Sequence, residues 1–134
     1  MQNSTIHTGS CLCQGVTFEV TGTLNNVVVC HCSQCRKTSG HYAASIIVPS
    51  AKMEVLRLDK LRWFRSMDGV TKGFCVDCGS SLFWQLNGRD GWNVSAGAFD
   101  GATGVSVNYH CFTSEKGDYY TIADGRPQAP QFDV

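Results

Sequence analysis

The sequence has no excess of either charge: eleven Lys and Arg stand against eleven Asp and Glu. Proteins that grip nucleic acid or an anionic membrane normally carry a basic excess or stripe, so neither partner is expected. Charge is scarce overall, at 16% of residues against 43% apolar, which suits a globular chain and excludes a disordered one. No apolar run approaches the length of a membrane span, and Met1–Gly9 lacks the basic-then-apolar build of a secretion signal. A cytoplasmic protein is expected. With 134 residues there is room for one modest core and not for two, so 1–134 reads as a single domain. Internal repeats, linkers and low-complexity tracts are absent.

Long helical patterns are missing too. Fourteen Gly interrupt the chain, and β-branched and aromatic residues cluster between them. Short runs at Val16–Val20, Val27–His31, Ala43–Val48, Met53–Leu56, Leu61–Phe64, Leu82–Trp84, Trp92–Ala96 and Val105–Tyr109 read as strands. In Val16-Thr-Phe-Glu-Val20 apolar and polar residues alternate, so one face is expected buried and the other wet. Strands joined by brief turns imply an all-β domain, mainly antiparallel. Ser33–Ser39 has room for one or two helical turns before Gly40. Ala123–Val134, with Pro127 and Pro130, is expected to run irregularly over the surface.

What the chain does have in quantity is cysteine. The eight thiols fall into groups: Cys11-Leu-Cys13, Cys30-His-Cys-Ser-Gln-Cys35, Cys75-Val-Asp-Cys78-Gly79, and Cys111 alone. So many thiols in a cytosolic chain point to metal binding before disulfides. Tetrahedral zinc with Zn–S bonds of about 2.3 Å needs sulfurs about 3.8 Å apart. A C-x-x-C turn provides that spacing, with Gly79 free to take the left-handed conformation that closes it. A C-x-C pair in a strand would point both thiols to one face. Two such pairs, distant in sequence, make one closed site.

Joining Cys75 and Cys78 to Cys11 and Cys13 leaves Cys30, Cys32 and Cys35 as a three-ligand set. Four protein ligands mark a structural zinc; three plus an open position mark a reactive one. This pairing leaves no clustered cysteine idle and is preferred. The alternative joins Cys75 and Cys78 to two of the middle three. A disulfide framework, a C-x-x-C redox pair at Cys75 and Cys78, and iron in place of zinc are further readings of the same residues. Cys111 either closes the middle site as a fourth ligand or packs as a buried thiol, and its place between His110 and Phe112 at a strand end favours packing. His31 alternates with its flanking cysteines and should point away from the metal. His110 is a weak candidate for a proton carrier. His7 and His41 carry no usable signal.

These residues resemble the family of glutathione-dependent formaldehyde-activating enzymes, which shares a domain with centromere protein V. The matching stretches are Gly9-Ser-Cys-Leu-Cys13, Cys30-His-Cys-Ser-Gln-Cys-Arg-Lys-Thr-Ser-Gly40, Gly73-Phe-Cys-Val-Asp-Cys-Gly-Ser-Ser-Leu-Phe83, Ser95-Ala-Gly-Ala-Phe-Asp100 and Gly117-Asp-Tyr-Tyr120. In order and spacing they span about residues 9–125. The resemblance implies a β-tent of short antiparallel strands with two zinc ions per chain. Cys11, Cys13, Cys75 and Cys78 would hold the structural zinc, and Cys30, Cys32 and Cys35 the catalytic one. Gly15 stands one place later than in the family pattern, and Cys111 sits where relatives look aliphatic.

Three thiolates on Zn²⁺ leave a net charge of −1, a poor Lewis acid but a good partner for a soft incoming thiol. The implied activity is that of a zinc-dependent carbon–sulfur lyase or synthase on the thiol adduct of a small aldehyde, S-(hydroxymethyl)glutathione in the family's case. The partner would be a small-molecule thiol such as glutathione, with Arg36 and Lys37 the nearest cations in sequence for its carboxylates. A zinc-stabilised β-tent binding module without catalysis is the alternative. A third reading is a sulfur-redox enzyme with Cys111 as nucleophile, which needs an accessible low-pKa thiol. Exposed edge strands in an all-β domain allow a homodimer.

Overall fold

A computed structural model of the chain describes residues 5–66 and 69–131. The start of the Met1–Gly9 segment and the end of the Ala123–Val134 segment lie outside the described residues. In chain order the strands are β1 (Ile6–Ser10), β2 (Thr17–Thr21), β3 (Val27–Cys30), β4 (Ala43–Val48), β5 (Met53–Arg57), β6 (Leu61–Arg65), β7 (Val70–Cys75), β8 (Ser81–Leu86), β9 (Trp92–Ser95) and β10 (Val107–Cys111). One helix, α1 (Ser33–Ser39), lies between β3 and β4. The domain is all-β, as expected. Among the described residues no helix is long and apolar enough to cross a membrane.

The strands form two sheets. A small one runs β1-β2-β5 and a large one β10-β3-β4-β9-β8-β7-β6. Every pairing is antiparallel except β10 with β3, which is parallel and sets Cys111 opposite Cys30. That exception to the mainly antiparallel expectation is allowed by the long chain between the two strands, since parallel neighbours need a crossover and cannot share a hairpin. Two strands escaped the sequence reading, β1 and β7. The second runs Val70-Thr-Lys-Gly-Phe-Cys75, where Lys72 and Gly73 weaken the strand pattern.

Alternation works as read in β2, where Phe18 and Val20 are buried and their neighbours are not. These two meet Val29, Ile46, Val48, Phe83 and Val94 of the large sheet in the main core. The Phe18 ring stands edge-on to Phe83 and to Phe99, each at 5.4 Å between centroids. Burying one such ring contributes about 1.5–3 kcal/mol. A second, smaller core forms where α1 meets the large sheet: Cys35, Ala43 and Trp84, with Cys30, Cys32 and Val70 packed against them.

Cys11 and Cys13 are not in a strand; they occupy the turn between β1 and β2, where the Gln14 N–H donates to the Cys11 carbonyl at 3.1 Å and Gln14 itself has φ 64°. A strand would have projected both thiols to the same face. The turn instead folds them back on the β7–β8 turn and leaves Cys11 buried and Cys13 exposed.

Candidate metal centres

The first centre is built from two turns. β1 delivers the chain to Cys11 and Cys13, and β7 ends on Cys75, with Cys78 one turn beyond. Gly79, at φ 77°, closes that turn by donating its N–H to the Cys75 carbonyl at 2.8 Å, a left-handed position that glycine adopts without strain. The Cys11 and Cys13 sulfurs lie 3.7 Å apart and those of Cys13 and Cys75 3.6 Å apart. All four sulfurs lie within 4.8 Å of one another. Tetrahedral zinc asks for about 3.8 Å between sulfurs, so this donor set fits the ion. Backbone N–H groups are aimed at two of the sulfurs, Val16 at Cys11 (3.3 Å) and Cys78 at Cys75 (3.4 Å). The Ser80 hydroxyl, 3.2 Å from the Cys78 sulfur, does most to bring that thiol down to about 5.

The second centre is built from one strand end and one helix start. Cys30 is the last residue of β3. Cys32 caps α1, its sulfur accepting the Cys35 N–H at 3.4 Å, and Cys35 lies buried in the first turn. Gly40, at φ 87°, ends the helix. The three sulfurs lie within 4.8 Å of one another, which fits three legs of the same tetrahedron. Cys111 is 3% exposed and faces Cys30 across the β10–β3 pairing, yet it is not part of this mutually close set. Hydrogen bonds from Cys111, then Cys32 and Cys35, draw negative charge onto Cys30 and push its pKa far below the thiol range. The interaction with Cys30 is also the main cause pushing the Cys35 and Cys111 thiols up.

The surroundings of this second centre were not legible in the sequence. Lys72 is 6% exposed although it carries a charge; its Nζ donates to the Thr38 hydroxyl at 3.3 Å and lies 4.8 Å over the Trp84 ring. Trp84 packs on Cys35 and Ala43, and its own indole N–H has no partner. Arg36 follows Cys35 on α1, and its buried Nε is likewise unpartnered, whereas Lys37 is exposed.

Behind the cysteines runs a chain of hydrogen bonds. His31, 1% exposed, turns away from its flanking cysteines. One ring nitrogen meets the Tyr120 hydroxyl in a short contact, and the other lies 2.9 Å from His110 Nδ1. His110, 5% exposed, reaches Asp124 through Nε2 at 2.9 Å. Burial, then the neighbouring His110, brings His31 down to about 4. Tyr120 is pushed up, chiefly by burial, and Asp124 is held low, first by the Arg126 N–H and then by His110. His41 stacks on Tyr42 at 4.2 Å and meets the Tyr119 hydroxyl at 3.2 Å, so Tyr42, Tyr119, Tyr120 and two histidines form one aromatic group. His7 lies on β1, apart from it. The sequence reading gave the direction of His31 and a slight role to His110, but missed Tyr120, Asp124, Lys72 and Trp84. The one available signal was Tyr120 in the matching tail Gly117–Tyr120.

Comparison with known proteins adds two findings. Residues 6–115 match a family model described as glutathione-dependent formaldehyde-activating enzyme. No curated protein matches the chain. Among solved structures, a Rhodobacter sphaeroides protein of structural-genomics origin is similar in fold, with a TM-score of 0.62 and 22% identity, over 75% of this chain and 99% of that one.

Proposed function

This chain belongs to the family of glutathione-dependent formaldehyde-activating enzymes, and from that premise we propose that it is a zinc-dependent carbon–sulfur lyase or synthase. Its substrate would be the thiol adduct of a small aldehyde, S-(hydroxymethyl)glutathione before others. The observation that carries this reading is the inequality of the two centres: four sulfurs converge in one, three in the other. Cys11, Cys13, Cys75 and Cys78 would hold a structural zinc, and Cys30, Cys32 and Cys35 a zinc with room for one more ligand. Bound there, the ion would favour the thiolate form of an incoming thiol at neutral pH, where a free thiol with a pKa of about 8.5 is mostly protonated.

The chain's own residues do the rest. The second core around Cys35, Ala43 and Trp84 keeps water from one side of the triad. Lys72 supplies a buried positive charge on the same side, against the −1 of a three-thiolate zinc. Arg36, with its unpartnered Nε, and exposed Lys37 are the cations nearest the triad in sequence and the candidates to meet a substrate carboxylate. In the lyase direction the carbon–sulfur bond breaks with its electron pair kept by sulfur, the hydroxyl gives up its proton, and the carbon leaves as an aldehyde. The synthase direction is the reverse. Eight unbridged thiols suit a reducing compartment such as the cytoplasm.

A second reading rests on Cys111. Buried beside Cys30, it is close enough to turn into the triad as a fourth donor, which would make both zincs structural and the protein a binding module. Native mass spectrometry with and without glutathione separates the two. Two zincs per chain, with a glutathione adduct that disappears in Cys32→Ser, support the enzyme. Two zincs with no thiol uptake support the module and sink the enzyme.

A further inference from the structure

The outermost strand of a sheet carries a row of N–H and C=O groups that something must cover or another strand can pair with. Four strands end the two sheets: β1 and β5 in the small one, β10 and β6 in the large one. β1 is bridged by Phe99, and the Asp100 N–H donates to the Thr8 carbonyl at 2.9 Å. β10 is bridged by Gln128, and His110 exchanges backbone hydrogen bonds with Pro127 and Ala129. β5 is bulged: Thr17 and Phe18, successive in β2, pair with Arg57 and Val55, so Leu56 is an extra residue that bends the edge. Among the described residues β6 alone is open and regular. Its five pairs with β7 run without a shift, and every residue after Leu61 is exposed.

The ladder fixes which of its groups are free. The Val76 N–H donates to the Lys60 carbonyl and the Ser66 N–H to the Val70 carbonyl, each at 2.8 Å. Hydrogen-bonded pairs alternate along an antiparallel ladder, so Arg62 and Phe64 also exchange bonds with β7, and the residues between them face outward. Leu61 spends its N–H on the Leu58 carbonyl at 2.9 Å. Trp63 and Arg65 are left with an N–H and a C=O each, all four pointing out of the sheet.

A second β6 satisfies all four in one register. Set antiparallel with Trp63 opposite the partner's Arg65, the pair exchanges two hydrogen bonds, and twofold symmetry supplies two more. Centring the axis on Trp63 would set Arg65 against the partner's Leu61, whose N–H is taken. Centring it on Arg65 would set like charges face to face, which destabilises a pair of strands. In the favoured register the side chains agree with the backbone. Phe64, 56% exposed, meets the partner's Phe64 at the closest position of the ladder. Arg65 lies beside the partner's Trp63, a favourable cation–π neighbour. The Trp63 ring is already held on its own sheet by Phe83 and Trp92, at 6.1 and 5.5 Å between centroids. Arg62 falls opposite the partner's Ser66, so no charge faces its like.

We propose that β6 pairs with β6 of a second copy of this chain in this register, joining two large sheets into one across a twofold axis at Phe64. The contact is independent of the carbon–sulfur reading. One strand edge buries less than the ~1,600 Å² of a standard interface, so the dimer comes apart on dilution.

Sedimentation velocity of the zinc-loaded protein over a dilution series tests it, and a reversible dimer is expected. Phe64→Lys sets two ammonium groups against each other and removes an aromatic pair, and should weaken the dimer about tenfold. Arg65→Pro removes an N–H that β7 does not use, twice by symmetry, and should weaken it at least as much. Circular dichroism and zinc content should match wild type in both. Phe64→Lys mixed with Phe64→Glu should associate more tightly than either alone, since this register sets residue 64 against itself. In the wild type, amide exchange at Trp63 and Arg65 should slow as concentration rises. A wild-type protein that stays monomeric up to about 1 mM overturns the proposal and leaves the edge to an extended peptide of another protein. A dimer that is indifferent to both substitutions, or that leaves those two amides unprotected, overturns it in favour of another surface.

Discussion

The two cysteine centres are built from the same atoms on different plans. The first ties residues 11–13 to residues 75–78, joining the small sheet's first hairpin to the large sheet across more than sixty residues of chain. Its donors are complete, and two of its sulfurs accept backbone N–H groups. The second gathers Cys30, Cys32 and Cys35 from a single short stretch, bridges nothing, and sits among groups that a purely structural site has no use for: a buried lysine, two unpartnered N–H donors and a line of hydrogen-bonded rings. A clamp must reach far and be closed. A reactive centre needs only a rigid local frame and one side left free.

Breaking the clamp should have the largest effect. Cys75→Ser removes a fully buried donor from the site proposed to hold a structural zinc, and binding of such an ion is worth about 10–16 kcal/mol of folding. The expected result is loss of cooperative unfolding in calorimetry and of one zinc in native mass spectrometry. If the fold persists at wild-type stability, the two centres are not different in kind.

Cys32→Ser or Cys35→Ser should do the opposite. One zinc and all thiol-dependent turnover are lost, while circular dichroism and the melting temperature stay close to wild type. A collapsed fold would make the second centre structural as well.

Lys72→Met sharpens the contrast without touching a ligand. Removing a buried positive charge beside a negatively charged centre should weaken zinc at that centre by about tenfold to a hundredfold, and leave the clamp's zinc untouched. Competition with a chelator, followed for each ion, gives both constants. Equal weakening at the two centres would remove Lys72 from the account.

Cys111→Ala should have the smallest effect, about 1 kcal/mol from lost packing in chemical denaturation, with both zincs retained. If it costs a zinc, Cys111 is a ligand and the second centre is closed. That single count decides between enzyme and binding module.

Much of this organisation was readable before any fold. Period-two patterning located most strands, as in Phe18 and Val20, because alternation is a property of neighbours in sequence. β7 was missed because Lys72 and Gly73 look wrong for a buried strand; both belong there only because α1 and an aromatic ring cover them. The two-residue spacing of Cys11 and Cys13 fits a strand as well as a turn, and the turn that holds them closes on a partner sixty residues away. The spacing of Cys30, Cys32 and Cys35 suggested a local set, and α1 brings them together through its own N-terminal hydrogen bond.

By itself, the sequence determined the chemistry available: thiols in groups of metal-ligand spacing, few charges, and short strands between glycines. Such features are local, and local spacing survives whatever the rest of the chain does. Only the tertiary structure decided that β10 runs parallel to β3, laying Cys111 beside Cys30 and His110 against His31. It alone brought Tyr120 and Asp124 to the two ends of that line and buried Lys72 over Trp84. Those contacts join residues that are strangers in sequence, and a pairing between distant strands leaves no periodicity in either one to announce it.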